Sequence, residues 1–567
     1  MPKFFGITLS QAQVLHDSAF AHDLILEATL ASVPAPIARH LHGEVAGFLA
    51  AQHGEPGRLA LHWQAAQCWA PAGAAFLRAA ERARDAARAG EQAALLASAA
   101  QCFEHAGDAD ARFDALLERA RLLASNECAI DAHEAVAGLL LAARTELQRL
   151  LACDAQLLLA VTRLEVTQAL QIGTQALALA RQLGRGDIEL RLAVNLSGAL
   201  CDARRGGEAV ALLEGHAERL DGAAAPEHAW EYWCACGIAL DYADRLRDAA
   251  QAWRSAEQIA RTMARNDMLW KTLANGASTQ AKMGHVRLAA EIGRQARQLA
   301  SACGDAPTIR IRSMHVTLAH RLRDLGHYAE AMTLLEDALE GMREGGSAAE
   351  QAGVEHRLAL LFQQLGQPAR AQALLAHDHS GLPPGVAMIR QVHRADLARQ
   401  LGGDGLALMR DALALIPDPG DIYHRIGSLF ATRMVAPDKG EAIGTSLAAW
   451  ASARERFGVA LAGHVRAAAC ALAQDAAARA LPHVEAALNL AREHQPDSFY
   501  APELWLVAAQ VHAALGHADD AARLAGDGRQ QVIAVHDAHV PAEFRASFLQ
   551  RNAVNRQLMA LALRSRA

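Results

Sequence analysis

The run Leu325-Gly326-His327-Tyr328-Ala329-Glu330-Ala331, continuing through Leu335 to Ala338-Leu339, reads as two helices joined by a tight turn. Gly326 permits the chain reversal and Tyr328 packs the corner. Ala331, Leu335 and Ala338, at spacings of four and three, line one face of the second helix. With Ala331 as a ruler, equivalent small residues stand at Ala169, Ala209, Ala249, Ala289, Ala371, Ala407, Ala442, Ala480 and Ala521. Most steps are close to 40 residues, and self-similarity at such a period is the signature of a repeat architecture.

Two checks support the period. Seven residues after the ruler, Ala176, Ala256, Ala296, Ala338, Ala414, Ala449, Ala487 and Gly528 are small, with His216 and Asp378 as misfits. Twelve residues before it, Ser197, Gly237, Ala277, Ala319, Ala359, Ala395, Ala468 and Ala509 are small, with Leu157 and Phe430 as misfits. Small residues on both helices let them approach closely as an antiparallel pair. One pair cannot bury its apolar face alone, so neighbours must stack.

Composition agrees. The 567 residues exceed one ordinary core, 131 of them are alanine and only 5% are aromatic, which predicts an almost wholly helical chain. Net charge is −7, and four lysines (Lys3, Lys271, Lys282, Lys439) accompany 51 arginines without any dense basic stretch. No nucleic-acid surface is expected from this pattern. The longest uncharged runs are broken by His62, Gln64, Gln67 and Pro71, or by Thr167, Gln168, Gln171, Thr174 and Gln175, so no membrane span is expected. Met1–Ser10 lacks the features of a secretion signal, and nine scattered cysteines without a CxxC pair suit reduced thiols, giving a cytoplasmic expectation.

The repeat resembles the tetratricopeptide family, which carries small residues at these two places, Gly-x-Tyr at the turn and sometimes a Trp near the start of the first helix, where Trp233 and Trp505 fall. The family's repeat is shorter than the one here, so its pitch does not transfer. The resemblance runs from Leu150 to Gly528 and implies a right-handed all-α solenoid of antiparallel helix pairs. The N-terminal phrases Phe20-Ala21-His22-Asp23-Leu24-Ile25, Leu41-His42 with Val45-Ala46, and His62-Trp63 resemble the segment after the nucleotide-binding module in large bacterial signal-transducing ATPase regulators of the LuxR/MalT-like kind. The C-terminal phrase Val540-Pro541-Ala542-Glu543-Phe544, continuing to Asn555-Arg556, is similar to a common ending of such proteins.

The expected organisation is an N-terminal helical region over 1–110, helical repeats over 111–535 and capping helices over 536–567. No Gly-Lys dipeptide exists, so the phosphate-holding loop of those ATPases is absent, and no DNA-reading helix–turn–helix follows the repeats. The resemblance therefore implies their sensor half, encoded separately or left by a truncated reading frame.

Local chemistry offers little else. His377-Asp378-His379 and His40-Leu41-His42 lack companion ligands at zinc spacing, Cys234-Ala235-Cys236 has the wrong spacing for redox work, and Asp108 and Asp110 read as turn residues. There is no HExxH, no GxSxG and no nucleophile context, so no enzyme, metal or cofactor is expected. Projecting the family's inward positions names groove candidates: Arg191, Asn195, Glu231, Asp241, Tyr242, Lys271, Asn275, Lys282, His320 and Arg323. Two of the four lysines on one helix suggest a small anionic effector. The resulting expectation is a non-catalytic sensor that binds a protein segment or small effector in transcriptional or signalling regulation, with a separate ATPase or regulator as partner. The alternative is a constitutive scaffold or assembly factor without an effector.

Overall fold

A computed structural model describes residues 15–16, 19–20, 32–86, 88–125, 130–220, 225–303, 309–379, 381–496 and 499–564. Apart from a two-residue antiparallel pairing of Leu15–His16 with Ala19–Phe20, the described chain is helices and their connections. The phrase 21–25, singled out in the sequence, lies outside the described residues. The chain forms two compact units, residues 1–204 with 212–219 and residues 205–211 with 220–567.

Both units are built from the expected helix pairs. In the first, Glu146–Thr162 pairs with Val166–Gln182. In the second, Pro226–Tyr242 pairs with Leu246–Thr262, Asn266–Lys282 with Val286–Ala302, Ile309–Asp324 with Tyr328–Gly345, and Ala348–Gln364 with Pro368–Ala376. A residue of positive φ closes each pair five places before the ruler: Leu164, Arg204, Asp244, Gly284, Gly326 and Gly366. Half of these are not glycine, which is why a glycine search alone finds only part of the series.

Ala169, Ala209, Ala249, Ala289, Ala331, Ala371 and Ala480 are fully buried, as the ruler requires. Ala407 and Ala442 are exposed, which corrects the ruler there. Gly405 and Gly444 occupy the packed position instead. At Gly444 a Cβ would lie 2.7 Å from the backbone nitrogen of Ala467, so helices Pro437–Ser452 and Phe457–Leu472 touch backbone to backbone. An alanine ruler misses a contact too close for alanine.

The misfit His216 is also resolved. It is buried, with Nδ1 2.7 Å from the Leu212 carbonyl and Nε2 3.1 Å from Glu189.

Within the second unit, residues far along the chain return to the row of pair-closing turns. Arg456 donates to Asp244 (Nε, 2.9 Å), and the Gln495 amide donates to the Gly284 carbonyl at 2.7 Å. The His539 and His327 rings stack at 4.0 Å, Ser547 Oγ donates to the Leu365 carbonyl at 2.7 Å, and Asn552 Nδ2 donates to the Gln364 carbonyl at 2.9 Å. The separation is 212, 211, 212, 182 and 188 residues in turn, so the repeats curve back upon themselves about every five pairs. Phe544 and Phe548, from the C-terminal phrase, seal this docking within the same apolar core as Tyr328, Leu361 and Phe362.

Candidate functional site

Successive first helices lie side by side, so an acid on one meets a base about 40 residues away on the next. In the first unit Asp154, 2% exposed, accepts from Arg191 Nε at 2.8 Å, Asn195 Nδ2 at 3.4 Å and Arg121 Nη2 at 2.8 Å. In the second, Asp241 pairs with Lys282 and accepts from Thr279 Oγ1 at 3.2 Å. Arg323, 4% exposed, donates through Nε to Asp324 Oδ1 at 3.1 Å, while His320 Nε2 lies 3.3 Å from Asp324 Oδ2.

The projected candidates therefore fall into three clusters: Arg191 with Asn195, Asp241 with Lys282, and His320 with Arg323. The other four lie outside these three clusters. Tyr242 is 53% exposed, Glu231 and Asn275 are exposed, and Lys271 sits over the Trp270 ring at 5.7 Å. Lys271 and Lys282 do not converge on one vacant point, because Lys282 is committed to Asp241.

The polar row continues beyond Arg323, where the sequence projection stopped. Asp396 accepts from Gln363 Nε2 at 3.0 Å and Gln400 Nε2 at 2.9 Å, with Arg399 Nη2 at 3.1 Å and Arg433 Nη1 at 3.7 Å. Glu503 pairs with Arg433 at 2.7 Å and with Arg466. Burial alone would raise both carboxyls, but Arg433 with Arg399, and Arg433 with Arg466, hold them below the ordinary range. The His356 and His393 rings lie against each other at a tilt of 36°, with centres 4.6 Å apart. Burial drives both to the neutral form, His393 to a pKa of about 3. Carrying the same inward positions forward to residues 356–400 would have found most of these groups.

The remaining sequence motifs have structural partners. His377 Nδ1 and His379 Nε2 each lie 2.8 Å from a Glu355 oxygen, and Arg390 donates to the Leu374 and His377 carbonyls, pinning that connection. Among the described residues no three ligating side chains gather to hold a metal, and no helix is long and apolar enough to cross a membrane. Burial pushes the Cys234 thiol up to about 12, far from a reactive thiolate. A cavity of about 20 Å³ beside Arg323, Tyr328, Gln364 and Tyr500 has room for a group the size of one water.

No family model matches the chain, and no curated protein is similar to it in sequence. Among solved structures, NprR in complex with its cognate peptide NprX is similar over 60% of this chain and 98% of its own, at 16% identity and a TM-score of 0.43. The apo form of RapI is similar over 46% of this chain and 94% of its own, at 14% identity and a TM-score of 0.36. A signal transduction ATPase with numerous domains and a tetratricopeptide repeat sensor, from Pyrococcus horikoshii, is similar over 64% of this chain and 53% of its own, at 12% identity and a TM-score of 0.34. The repeat geometry of the chain itself, with its buried small residues and left-handed turns at a common period, makes the fold tetratricopeptide-like.

Proposed function

We propose that this chain is a non-catalytic helical-repeat sensor or interaction module that receives a protein segment or a small effector on the faces of its first helices. One observation carries the reading: in the second unit those faces present acids and bases bonded from helix to helix, as at Asp241–Lys282 and Glu503–Arg466, rather than an apolar seam. Such a row offers polar partners at repeat intervals to an extended ligand, and the exposed Glu231, Tyr242 and Asn275 stand beside it. Signalling would work by population shift: a ligand that fits one curvature of the repeats better than another biases the engagement of a regulator. A signalling ATPase supplied by another chain is the partner that the resemblance of both termini suggests.

The test is affinity capture of the full chain from its native cells, followed by small-angle scattering with and without the captured segment. Saturable binding that changes the radius of gyration supports a sensor. Binding without any change in dimensions favours the constitutive scaffold, and the absence of any specific partner or effector refutes the module.

A further inference from the structure

Three successive first helices of the second unit, Ile309–Asp324, Ala348–Gln364 and Pro384–Gln400, bring together more positive charge than they neutralise. Arg323 has Asp324. Among the described residues Arg357 meets no carboxylate; its Nη1 donates to the Gly353 carbonyl at 3.0 Å. Arg321 has no partner among the described residues, and the Nε atoms of both Arg321 and Arg357 are buried without a hydrogen bond. The neighbouring acids serve other groups: Asp324 takes Arg323 on Oδ1, while its Oδ2 is buried without a hydrogen bond and faces His320 Nε2 at 3.3 Å; Asp396 takes Gln363, Arg399, Gln400 and Arg433, and Glu503 takes Arg433 and Arg466.

Three further nitrogens in this region lack acceptors or donors although their side chains are more than nine-tenths buried. They are Arg323 Nη1, His356 Nε2 and His393 Nδ1. The groups feel one another: burial, then repulsion from Arg321 and Arg323, lowers the Arg357 guanidinium to about 10. His356 is held neutral by burial and by His393, Arg357, Arg323 and His320. A guanidinium withdrawn from water without a counter-charge is costly, and the cost is removed when an anion arrives.

We propose that Arg321, Arg323 and Arg357, assisted by His356 and His393, form a binding site for a compact oxyanion, a phosphate or a carboxylate. The guanidiniums supply forked N–H donors, and the imidazoles supply further N–H donors without adding a fixed charge. The site deepens the reading of the first-helix faces as a ligand surface and rests on it. It moves the anion-binding position from the Lys271–Lys282 helix to Arg321 and Arg357.

The test is calorimetric and thermal titration of the full chain with inorganic phosphate, and separately with acetate, against potassium chloride at matched ionic strength. We expect saturable binding and a raised melting temperature with one of the two anions, the preferred one identifying the source of the oxyanion. Arg321→Gln and Arg357→Gln each weaken binding by about tenfold or more. Arg357→Gln also raises the melting temperature of the anion-free protein, since it removes an uncompensated charge. Arg357→Lys, which keeps the charge but loses the fork, weakens binding without that rise.

No saturable binding of either anion, or binding unaltered in R321Q/R357Q, overturns the site. A captured partner together with no saturable anion binding leaves the interaction module standing while refuting the site. Anion binding without any partner does the reverse.

Discussion

Replacing Glu503 by Gln tests the energetics of the polar row most directly. Glu503 is 7% exposed and its two oxygens serve Arg433 Nη2 at 2.7 Å and Arg466 Nη1. Gln keeps the shape but loses the charge and turns an amide donor toward a guanidinium. Arg433 retains Asp396 at 3.7 Å, whereas Arg466 keeps the uncharged Thr432 hydroxyl at 3.2 Å. Removing one member of a buried pair costs about 3–5 kcal/mol, and the shared Asp396 places this case near the lower end. The double variant E503M/R466M removes both charges and should recover most of the loss, because an apolar pair of similar volume carries no desolvation penalty.

The assay is urea unfolding followed by circular dichroism, with hydrogen exchange over Phe457–Leu472 and Pro502–Ala514 to localise the loss. An acid titration adds a sign check. The folded carboxyl lies below its unfolded value, so its contribution is complete above the unfolded pKa and lost as pH falls through the folded one. E503Q must lack that part of the acid transition. E503Q within about 0.5 kcal/mol of wild type, or a double variant no more stable than the single, would refute the reasoning.

Three other outcomes follow from the same structure. Gly444→Ala sets a methyl 2.7 Å from the Ala467 nitrogen, so despite about 1 kcal/mol of better helix propensity it should cost about 1–3 kcal/mol, read as a lower melting temperature. Asn552→Ala removes the cap on Val554 and Asn555, at 3.1 and 3.2 Å, together with the bond to the Gln364 carbonyl, and should speed hydrogen exchange in Ala553–Arg564 at a cost of about 1–2 kcal/mol. His464 is lowered to about 4 by burial and by His483, so the folded state binds fewer protons than the unfolded one between the ordinary pKa of 6.5 and that value. Stability should fall as pH drops through this window, and His464→Gln should flatten the fall in a thermal titration.

The helix pairs were legible in the sequence because packing is local there. Ala331, Leu335 and Ala338 must face one neighbour whatever lies beyond, and Ala319, Ala359 and Ala395 sit where that neighbour approaches. The ruler failed at Ala407 and Ala442 because Gly405 and Gly444 allow a closer approach than alanine permits. The groove projection placed Arg191, Asn195, Asp241, Lys282, His320 and Arg323 among paired charges but could not say which were already neutralised. For Arg191, Asn195 and Lys282 that depends on a partner 37 to 41 residues away, Asp154 or Asp241, whose identity no periodicity dictates, whereas His320 and Arg323 meet Asp324 on their own helix.

The sequence alone thus determined the all-α repeat, its period and the absence of a phosphate-holding loop, since these follow from spacing and residue type along one or two helices. Only the tertiary structure decided how the C-terminal phrase is used and where the unneutralised charge lies. Ser547 and Asn552 meet Leu365 and Gln364 from 182 and 188 residues away, and among the described residues Arg321 and Arg357 meet no acid, while Asp324 pairs with Arg323 and Asp396 with Arg399. Both outcomes sum small rotations between successive helix pairs, and those rotations accumulate over five repeats into contacts that no local pattern encodes.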